Sequence, residues 1–172
     1  MKEILILIIP LAAMVLVTYI LLQHFYNKQK VDNNFKITTE KTTTFFPLQI
    51  QGYERIILFL ERIDPSNMII RTHKSGMDAS SLHRELLKII RDEYTHNMSQ
   101  QVYINPASWK TLLNAKEETI QMINIAKNSL DNKASSLDLS AKIFELIASK
   151  KVSPTQKARN SIIVEFQKGM ST

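Results

Sequence analysis

The strongest feature of the hydrophobic pattern is an uninterrupted apolar segment at the start of the chain. From Ile4 to Leu22 the sequence reads ILILIIPLAAMVLVTYILL, nineteen residues without a charge. A helix of this length rises about 28 Å, close to the thickness of the hydrocarbon core of a bilayer. Pro10 removes one backbone donor, a defect that membrane helices tolerate. The pattern predicts one transmembrane helix, which together with its interface occupies residues 1–26.

A cleavable signal peptide is the alternative interpretation of this segment. Signal peptides have a positively charged start, an apolar core of about 7–15 residues and small residues at the cleavage site. Here Glu3 offsets Lys2, the apolar run is longer, and the residues after Leu22 are Gln-His-Phe-Tyr-Asn. We therefore expect an anchor that stays attached.

The lysines that flank the apolar segment predict its orientation. Lys28 and Lys30 follow the segment, whereas the preceding flank carries Lys2 beside Glu3. Because basic residues are retained on the cytoplasmic side, we expect the N-terminus outside and the rest of the chain in the cytoplasm. Phe25 and Tyr26 fit the aromatic belt at a membrane interface. The reversed orientation, with the C-terminal domain in the periplasm, is the alternative.

The rest of the chain divides into a polar stretch and a region with helical periodicity. Residues 27–44 are rich in Thr and Lys and predict a tether. From residue 45 to residue 172, apolar residues recur at helical spacing and predict one helical soluble domain. Helices are expected over residues 47–63, 79–98 and 106–130, and two more after Ser135 and Ser153. Capping residues or a proline in the first turn support these starts: Pro47, Asp78, Asn105 with Pro106, Ser135 with Asp138, and Ser153 with Pro154.

Two short apolar runs lie between the predicted helices. Residues 68–70 read MII and residues 101–104 read QVYI, and both runs are compatible with extended structure. The predicted fold is therefore mainly α, with an N-terminal transmembrane helix and a soluble domain of four to five helices. At most one short two-stranded pairing is expected in that domain.

Composition excludes several kinds of chemistry. The chain has no cysteine, so disulfides, thiolate metal sites and a thiol nucleophile are impossible. Its three glycines are too widely separated in the sequence for a phosphate-binding loop. The formal net charge of +6 lies mostly beside the apolar segment and near the C-terminus, and the dispersed C-terminal excess is more typical of a solvated surface than of a nucleic-acid site. We expect neither an enzyme nor a cofactor, and no nucleic-acid partner.

A few residues could bind a ligand or contact a partner protein. Glu93 and His96 are three residues apart on one predicted helix face, but a di-iron site needs that motif on two helices, so a solvated helix end is favoured. Arg71 and His73 could contact an anionic ligand or belong to an ordinary basic loop. Trp109 could contact a partner or complete the core. No metal site is predicted.

Basic residues are also concentrated near the C-terminus. Residues 131–172 contain seven basic and four acidic residues. The last helix could lie along a membrane with Ile162, Ile163 and Phe166 dipping into it. The favoured interpretation is that these apolar residues close the helical core.

A family resemblance extends over roughly residues 45–130. It rests on the segments YERIILFLERIDPSNMIIRTHKSGM and LHRELLKIIRDEYTHNMSQQVYI. The chain resembles a group of uncharacterised small bacterial membrane proteins, mainly from Bacteroidetes, with one N-terminal span and a C-terminal helical domain. This resemblance implies the same architecture and a bacterial inner-membrane location. It implies no catalytic residue.

These observations together predict a membrane-anchored cytoplasmic interaction or scaffold module. Its expected partners are the lipid bilayer and another protein or a second copy of itself, bound through the surface around the first three helices. A small ligand-binding or catalytic domain that uses Arg71, His73, Glu93 and His96 is the alternative.

Overall fold

Capping residues set the starts of several helices in the computed structural model, which describes residues 14–30, 43 and 45–170. The side chains of Asp64, Asp78, Asn105 and Ser135 each accept a hydrogen bond from a backbone N–H in the first turn of the following helix. A side-chain acceptor at this position satisfies a donor that the helix itself leaves unpaired. Local sequence signals therefore determine where these helices begin.

The fold of the described residues is mainly α-helical, as predicted. From residue 46 onward the helices are α1 (Phe46–Arg62), α2 (Pro65–Thr72), α3 (Ala79–Asn97), a 3₁₀ helix (Met98–Tyr103), α4 (Pro106–Asn128), α5 (Ser136–Lys150) and α6 (Pro154–Met170). The expected starts of the five long helices, and the expected ends of α1, α3 and α4, agree with these to within one or two residues. Residues 14–30 are also helical.

The predicted count of four to five helices is wrong, and the two runs that were compatible with extended structure are helical. Residues 68–70 lie in α2, and residues 101–103 lie in the 3₁₀ helix. Asp64 lies two residues after the end of α1 and caps α2, because its Oδ1 accepts the backbone N–H of Ser66 at 3.1 Å. Pro65 then occupies the first turn of α2, where a missing N–H costs nothing. The described residues contain an isolated bridge between Asp78 and Ser135 but no strand.

The chain divides into two units, Met1–Pro47 and Leu48–Thr172. In the second unit α4 packs against α3, α5 and α6. The largest fully buried side chains come from five helices and the residue after α1: Ile56, Phe59, Leu60, Ile63, Met68, Leu82, Leu86, Ile90, Leu112, Ile123, Leu139 and Ile143. Burying one such side chain stabilises the fold by about 1.5–3 kcal/mol. This shared core holds the helix ends that form the clefts described below.

The first unit contains the helical residues 14–30. Within residues 14–30 the large apolar side chains are all more than half exposed, from Ile20 at 53% to Met14 at 72%. Leu22 is 65% exposed, and Phe25 and Tyr26 are each 67% exposed. Across the described ranges, no helix has both the length and the apolar character needed to cross a membrane.

Parts of the predicted anchor and tether lie outside the described residues. The predicted span begins at Ile4 and contains Pro10, and both precede residue 14, where the description begins. Of the predicted tether, Lys28 and Lys30 lie in the helical stretch, whereas residues 31–42 and 44 are outside the described part.

Gly52 allows the 3₁₀ helix to approach α1 closely. A Cβ at residue 52 would lie 3.0 Å from Tyr103 Cβ and 3.2 Å from Ile104 Cδ1. We expect Gly52→Ala to lower the free energy of unfolding by about 1–3 kcal/mol, because the added methyl group overpacks this contact. Urea unfolding followed by Trp109 fluorescence measures the change.

Gly169→Ala is the matched control. It lies in α6, and its added Cβ would have no atom within 4 Å. Its expected effect is between zero and a gain of about 1 kcal/mol, because alanine favours the helix over glycine. Equal losses of stability in the two variants would contradict the proposed close contact at Gly52.

Candidate functional site

A small cleft between α1 and α3 brings together several charged and apolar side chains. It encloses about 60 Å³ and is lined by Arg55, Leu58, Phe59, Arg62, Glu93, His96 and Asn97. Arg62 Nη1 lies 3.0 Å from Glu93 Oε1, with the Glu93 side chain only 18% exposed. Because Arg62 remains 54% exposed, the ion pair contributes at most about 1 kcal/mol. Its main effect is to fix the direction of both side chains.

Arg71 is connected to this cleft through the backbone of α1. Its Nη2 donates to the carbonyl oxygen of Arg62 at 2.6 Å, and its Nε donates to the carbonyl oxygen of Asn67 at 3.3 Å. Three of the residues singled out in the sequence, Arg71, Glu93 and His96, are therefore linked through Arg62 or line the same cleft.

His73 and Trp109 have other surroundings. His73 Nδ1 lies 3.0 Å from the Ser136 hydroxyl, at the start of α5. Trp109 is 6% exposed, and its ring centroid lies 6.4 Å from that of Tyr94. Trp109 thus contributes to the core, and His73 lines a different cleft, between the loops that precede α3 and α5.

Exposed apolar side chains lie on and next to the α1–α3 cleft. Leu58 is 55% exposed and lines the cleft, and Met98 is 50% exposed and follows the lining residue Asn97. Val102, on the same 3₁₀ helix as Met98, is 76% exposed. We call Leu58, Met98 and Val102 the apolar rim. Arginine and methionine are enriched in protein interfaces, so this combination suits a protein partner. The rim was not predicted, because exposed apolar residues within a helical pattern look like core residues.

A larger cleft lies where α1, α2, α5 and α6 meet. It encloses about 340 Å³, and its lining includes Glu61, Asp64, Ser153, Thr155 and Arg159. Asp64 Oδ2 accepts the hydroxyl of Ser153 at 2.8 Å and that of Thr155 at 2.6 Å, and Arg159 pairs with Glu61.

The Asp64 contacts were missed in the sequence analysis. Ser153 lies 89 residues from Asp64 in the chain, and nothing in the local sequence links them. The available signal was the recurrence of a capping residue followed by proline, at Asp64-Pro65 and at Ser153-Pro154. The role of Asp64 is structural, because its carboxylate joins the starts of α2 and α6.

The loops before α3 and α5 are joined side by side. Ala79 N donates to the Ala134 carbonyl oxygen at 3.0 Å, and Ser136 N donates to the Met77 carbonyl oxygen at 2.9 Å. The hydroxyl and backbone N–H of Ser81 lower the pKa of Asp78. Asp78 thus caps α3 as a carboxylate at neutral pH.

The start of α5 carries a matching carboxylate. The hydroxyl and the backbone N–H of Ser135 donate to Asp138 Oδ2, each at 2.8 Å, and they lower the pKa of Asp138. The Ser135 hydroxyl in turn accepts the backbone N–H of Asp138 at 3.3 Å, which completes the predicted capping box.

Acid should weaken this pair of loops. Because the folded pKa values of Asp78 and Asp138 are lower than the ordinary value of 3.8, their stabilisation is complete above that value and is lost as the pH falls through the folded values. Between about pH 5 and pH 2, the free energy of unfolding should therefore fall less in the double variant Asp78→Asn, Asp138→Asn than in the native chain.

Urea unfolding at a series of pH values measures how steeply the free energy of unfolding changes with pH. Asp131→Asn, in the exposed loop after α4, is the matched control and should keep the pH dependence of the native chain. A double variant with the native slope would contradict the assignment of the two caps.

In the part of the chain that the structure describes, no group of three or more His, Asp or Glu residues is placed to hold a metal ion. Glu93 pairs instead with Arg62.

Comparison with known proteins identifies the family. No curated protein and no solved structure matches the chain. A family model described as a family of unknown function (DUF7935) matches residues 1–169. The match covers nearly the whole chain and includes residues 45–130, so the expected membership of an uncharacterised family is confirmed. The chain therefore belongs to the DUF7935 family.

Proposed function

We propose that the chain is a membrane-anchored helical module that binds another protein, or a second copy of itself, through the α1–α3 cleft and its apolar rim. The observation that carries the anchor is the exposure of the apolar side chains in residues 14–22: Met14, Val15, Leu16, Val17, Tyr19, Ile20, Leu21 and Leu22. Nine consecutive residues cover every side of a helix. A helix that is apolar on all sides is typical of a membrane span or a deep core.

Two further observations support a membrane anchor in the apolar segment. The Thr18 hydroxyl donates to the Met14 carbonyl oxygen at 2.6 Å, so its polar group has a partner within the helix and adds little cost in hydrocarbon. The family model covers the apolar segment and the helical unit together, over residues 1–169.

The proposed location is the inner membrane of a bacterium, with the helical unit on the cytoplasmic side. Lys28 and Lys30 are exposed at the end of the helical stretch 14–30, where the positive-inside rule places the cytoplasm. Because the chain has no cysteine, a single Thr172→Cys substitution tests this. In intact cells an impermeant maleimide should leave that cysteine unlabelled, and it should label the cysteine once the membrane is permeabilised. Labelling in intact cells would indicate the reversed orientation.

Cross-linking from the apolar rim tests the binding role. A photoactivatable probe on Leu58→Cys in the full-length chain should give a discrete adduct in membranes, and Met98→Asp should lower its yield severalfold. The same probe on Asn114→Cys, an exposed position of α4, is the control. Equal adducts from both positions, or none from Leu58→Cys, would contradict the proposed interface.

A small-ligand site built from Arg71, His73, Glu93 and His96 has weaker support. Glu93 and His96 line one cleft, whereas His73 lines another. The volume of the first cleft, about 60 Å³, is far below the roughly 300–1,000 Å³ of ordinary ligand pockets.

A further inference from the structure

The outward face of α1 carries a leucine with two charged residues on either side of it. Leu58 is 55% exposed, and the charged residues lie three and four positions before and after it: Glu54, Arg55, Glu61 and Arg62. Residues at these intervals share one face of a helix. The buried residues of α1 lie on its other side. We call these five residues the α1 face.

The charges of the α1 face are complementary to the same face in reverse order. Residues 54–62 read ERIILFLER, and reversal about Leu58 brings each acidic position onto a basic one. In an antiparallel pair of α1 helices with a two-fold axis over Leu58, Glu54 faces Arg62 of the second copy. In the same way, Arg55 faces Glu61 of the second copy. A two-fold interface repeats both pairs, so four pairs of opposite charge surround the central leucines.

A parallel pair of α1 helices has the opposite electrostatics. Each residue would then face its own counterpart, which places Glu54 against glutamate and Arg55 against arginine. Like charges held opposite each other across an interface disfavour that arrangement. The order of the charges therefore favours the antiparallel pair.

The charged side chains of the α1 face are accessible to a second copy. Glu54 and Arg55 are exposed and take part in none of the ion pairs found among the described residues. Arg62 and Glu61 each form an ion pair within the chain, yet their side chains are 54% and 40% exposed. A guanidinium has five N–H donors and a carboxylate has two acceptor oxygens, so both groups can bind a second partner.

We propose that the α1 face docks a second copy of this chain, in an antiparallel pair centred on Leu58. The inference deepens the interface proposed above and rests on it, because Leu58, Arg55 and Arg62 also line the α1–α3 cleft. Charge complementarity between the reversed copies identifies the partner as an identical chain. A single helix face is a small interface, and confinement of the chains to the proposed membrane raises the effective concentration of the second copy.

A single cysteine at the axis tests the pairing. The native chain has no cysteine, so the full-length Leu58→Cys variant can form a disulfide at that position alone. Facing residues of two closely packed helices bring their Cα atoms within the range of about 4.4–6.8 Å that a disulfide requires. Oxidation of membranes from an expression host with copper phenanthroline should therefore give a disulfide-linked dimer, measured on a non-reducing gel.

Gln51→Cys is the matched control for direction. Gln51 is exposed and lies seven residues before Leu58, on the same side of the helix. In the antiparallel pair it lies about 21 Å along the helix from its counterpart, so it should give roughly fivefold less dimer than Leu58→Cys. In a parallel pair the two variants would give similar yields.

Two charge reversals test the charge pattern in the Leu58→Cys background. Glu54→Arg and Arg62→Glu should each lower the dimer yield roughly threefold or more, because each places like charges opposite one another twice in the dimer. Co-expression of the two variants with different tags should restore the yield as mixed dimers, in which opposite charges face each other again. A misfolded chain would not be rescued in this way. Glu85→Arg, at an exposed position of α3, is the matched control and should keep the native yield.

The outcomes separate this inference from the proposed function. Equal dimer from Leu58→Cys and Gln51→Cys, or a loss that co-expression does not restore, overturns the antiparallel pair. A photo-adduct at residue 58 that contains a different protein, without a disulfide dimer, overturns this inference and leaves the proposed function standing. Absence of both the adduct and the disulfide overturns both.

Discussion

Replacing Val15 and Leu16 with arginine should move the full-length chain out of the membrane fraction. The six Leu, five Ile and two Val residues of the segment 4–22 favour insertion, together by about 4–8 kcal/mol. Two arginines near the middle of the span cost about 5–7 kcal/mol. Because the two replaced residues also lose their own favourable contribution of about 1 kcal/mol, the balance falls to about zero or becomes unfavourable, and about half of the chain or more should fail to insert. Fractionation of a bacterial expression host measures the ratio of membrane-bound to free chain.

The matched control for this variant is Gln23→Arg with Gln29→Arg. It adds the same charge beyond the apolar segment, on the side that already carries Lys28 and Lys30, and it should remain in the membrane fraction. If the two double variants fractionate alike, the apolar segment is not what holds the chain at the membrane.

Asp64→Ala should be the most destabilising single change among the polar residues described above. It removes the cap of α2 and leaves the hydroxyls of Ser153 and Thr155, which are 5% and 1% exposed, without their carboxylate acceptor. Loss of a cap costs about 1 kcal/mol, and each buried hydroxyl left unsatisfied costs about 1–3 kcal/mol. Because Ser153 and Thr155 can still bond each other at 3.0 Å, we expect a net loss of about 2–4 kcal/mol.

Urea unfolding followed by the single tryptophan measures this loss. Asp92→Ala is the matched control, since the Asp92 side chain is 63% exposed and forms an exposed pair with Lys88, so its loss should leave the free energy of unfolding nearly unchanged. A change of less than 1 kcal/mol for Asp64→Ala would contradict the structural role given to the Asp64 contacts.

The helix starts were predictable because their causes are local. Asp78, Asn105 and Ser135 each cap a helix through a backbone N–H two or three residues away. The helix α2 was missed although its signal, Asp64-Pro65, was read as the end of α1. An aspartate that follows one helix can cap the next, and an eight-residue helix is too short for its periodicity to be distinguished from that of a strand.

The candidate site was less predictable because its contacts join distant segments. Glu93 and His96 share a helix face, and their spacing was visible in the sequence. The partner of Glu93 is Arg62, 31 residues away, and the partner of Asp64 is Ser153, 89 residues away. Such contacts depend on how the helices pack, which single-sequence periodicity does not specify. The same limitation applies to Ile162 and Ile163, since adjacent residues of α6 are 1% and 36% exposed.

The central claim is that the apolar start of the chain remains attached and holds the helical unit at a membrane. The most direct measurement is the intact mass of the full-length chain recovered from membranes washed with alkaline carbonate. The account predicts that the chain stays in the washed membranes with residues 1–22 present. Release into the wash, or a mass that lacks about the first two dozen residues as a cleaved signal peptide would, would contradict it.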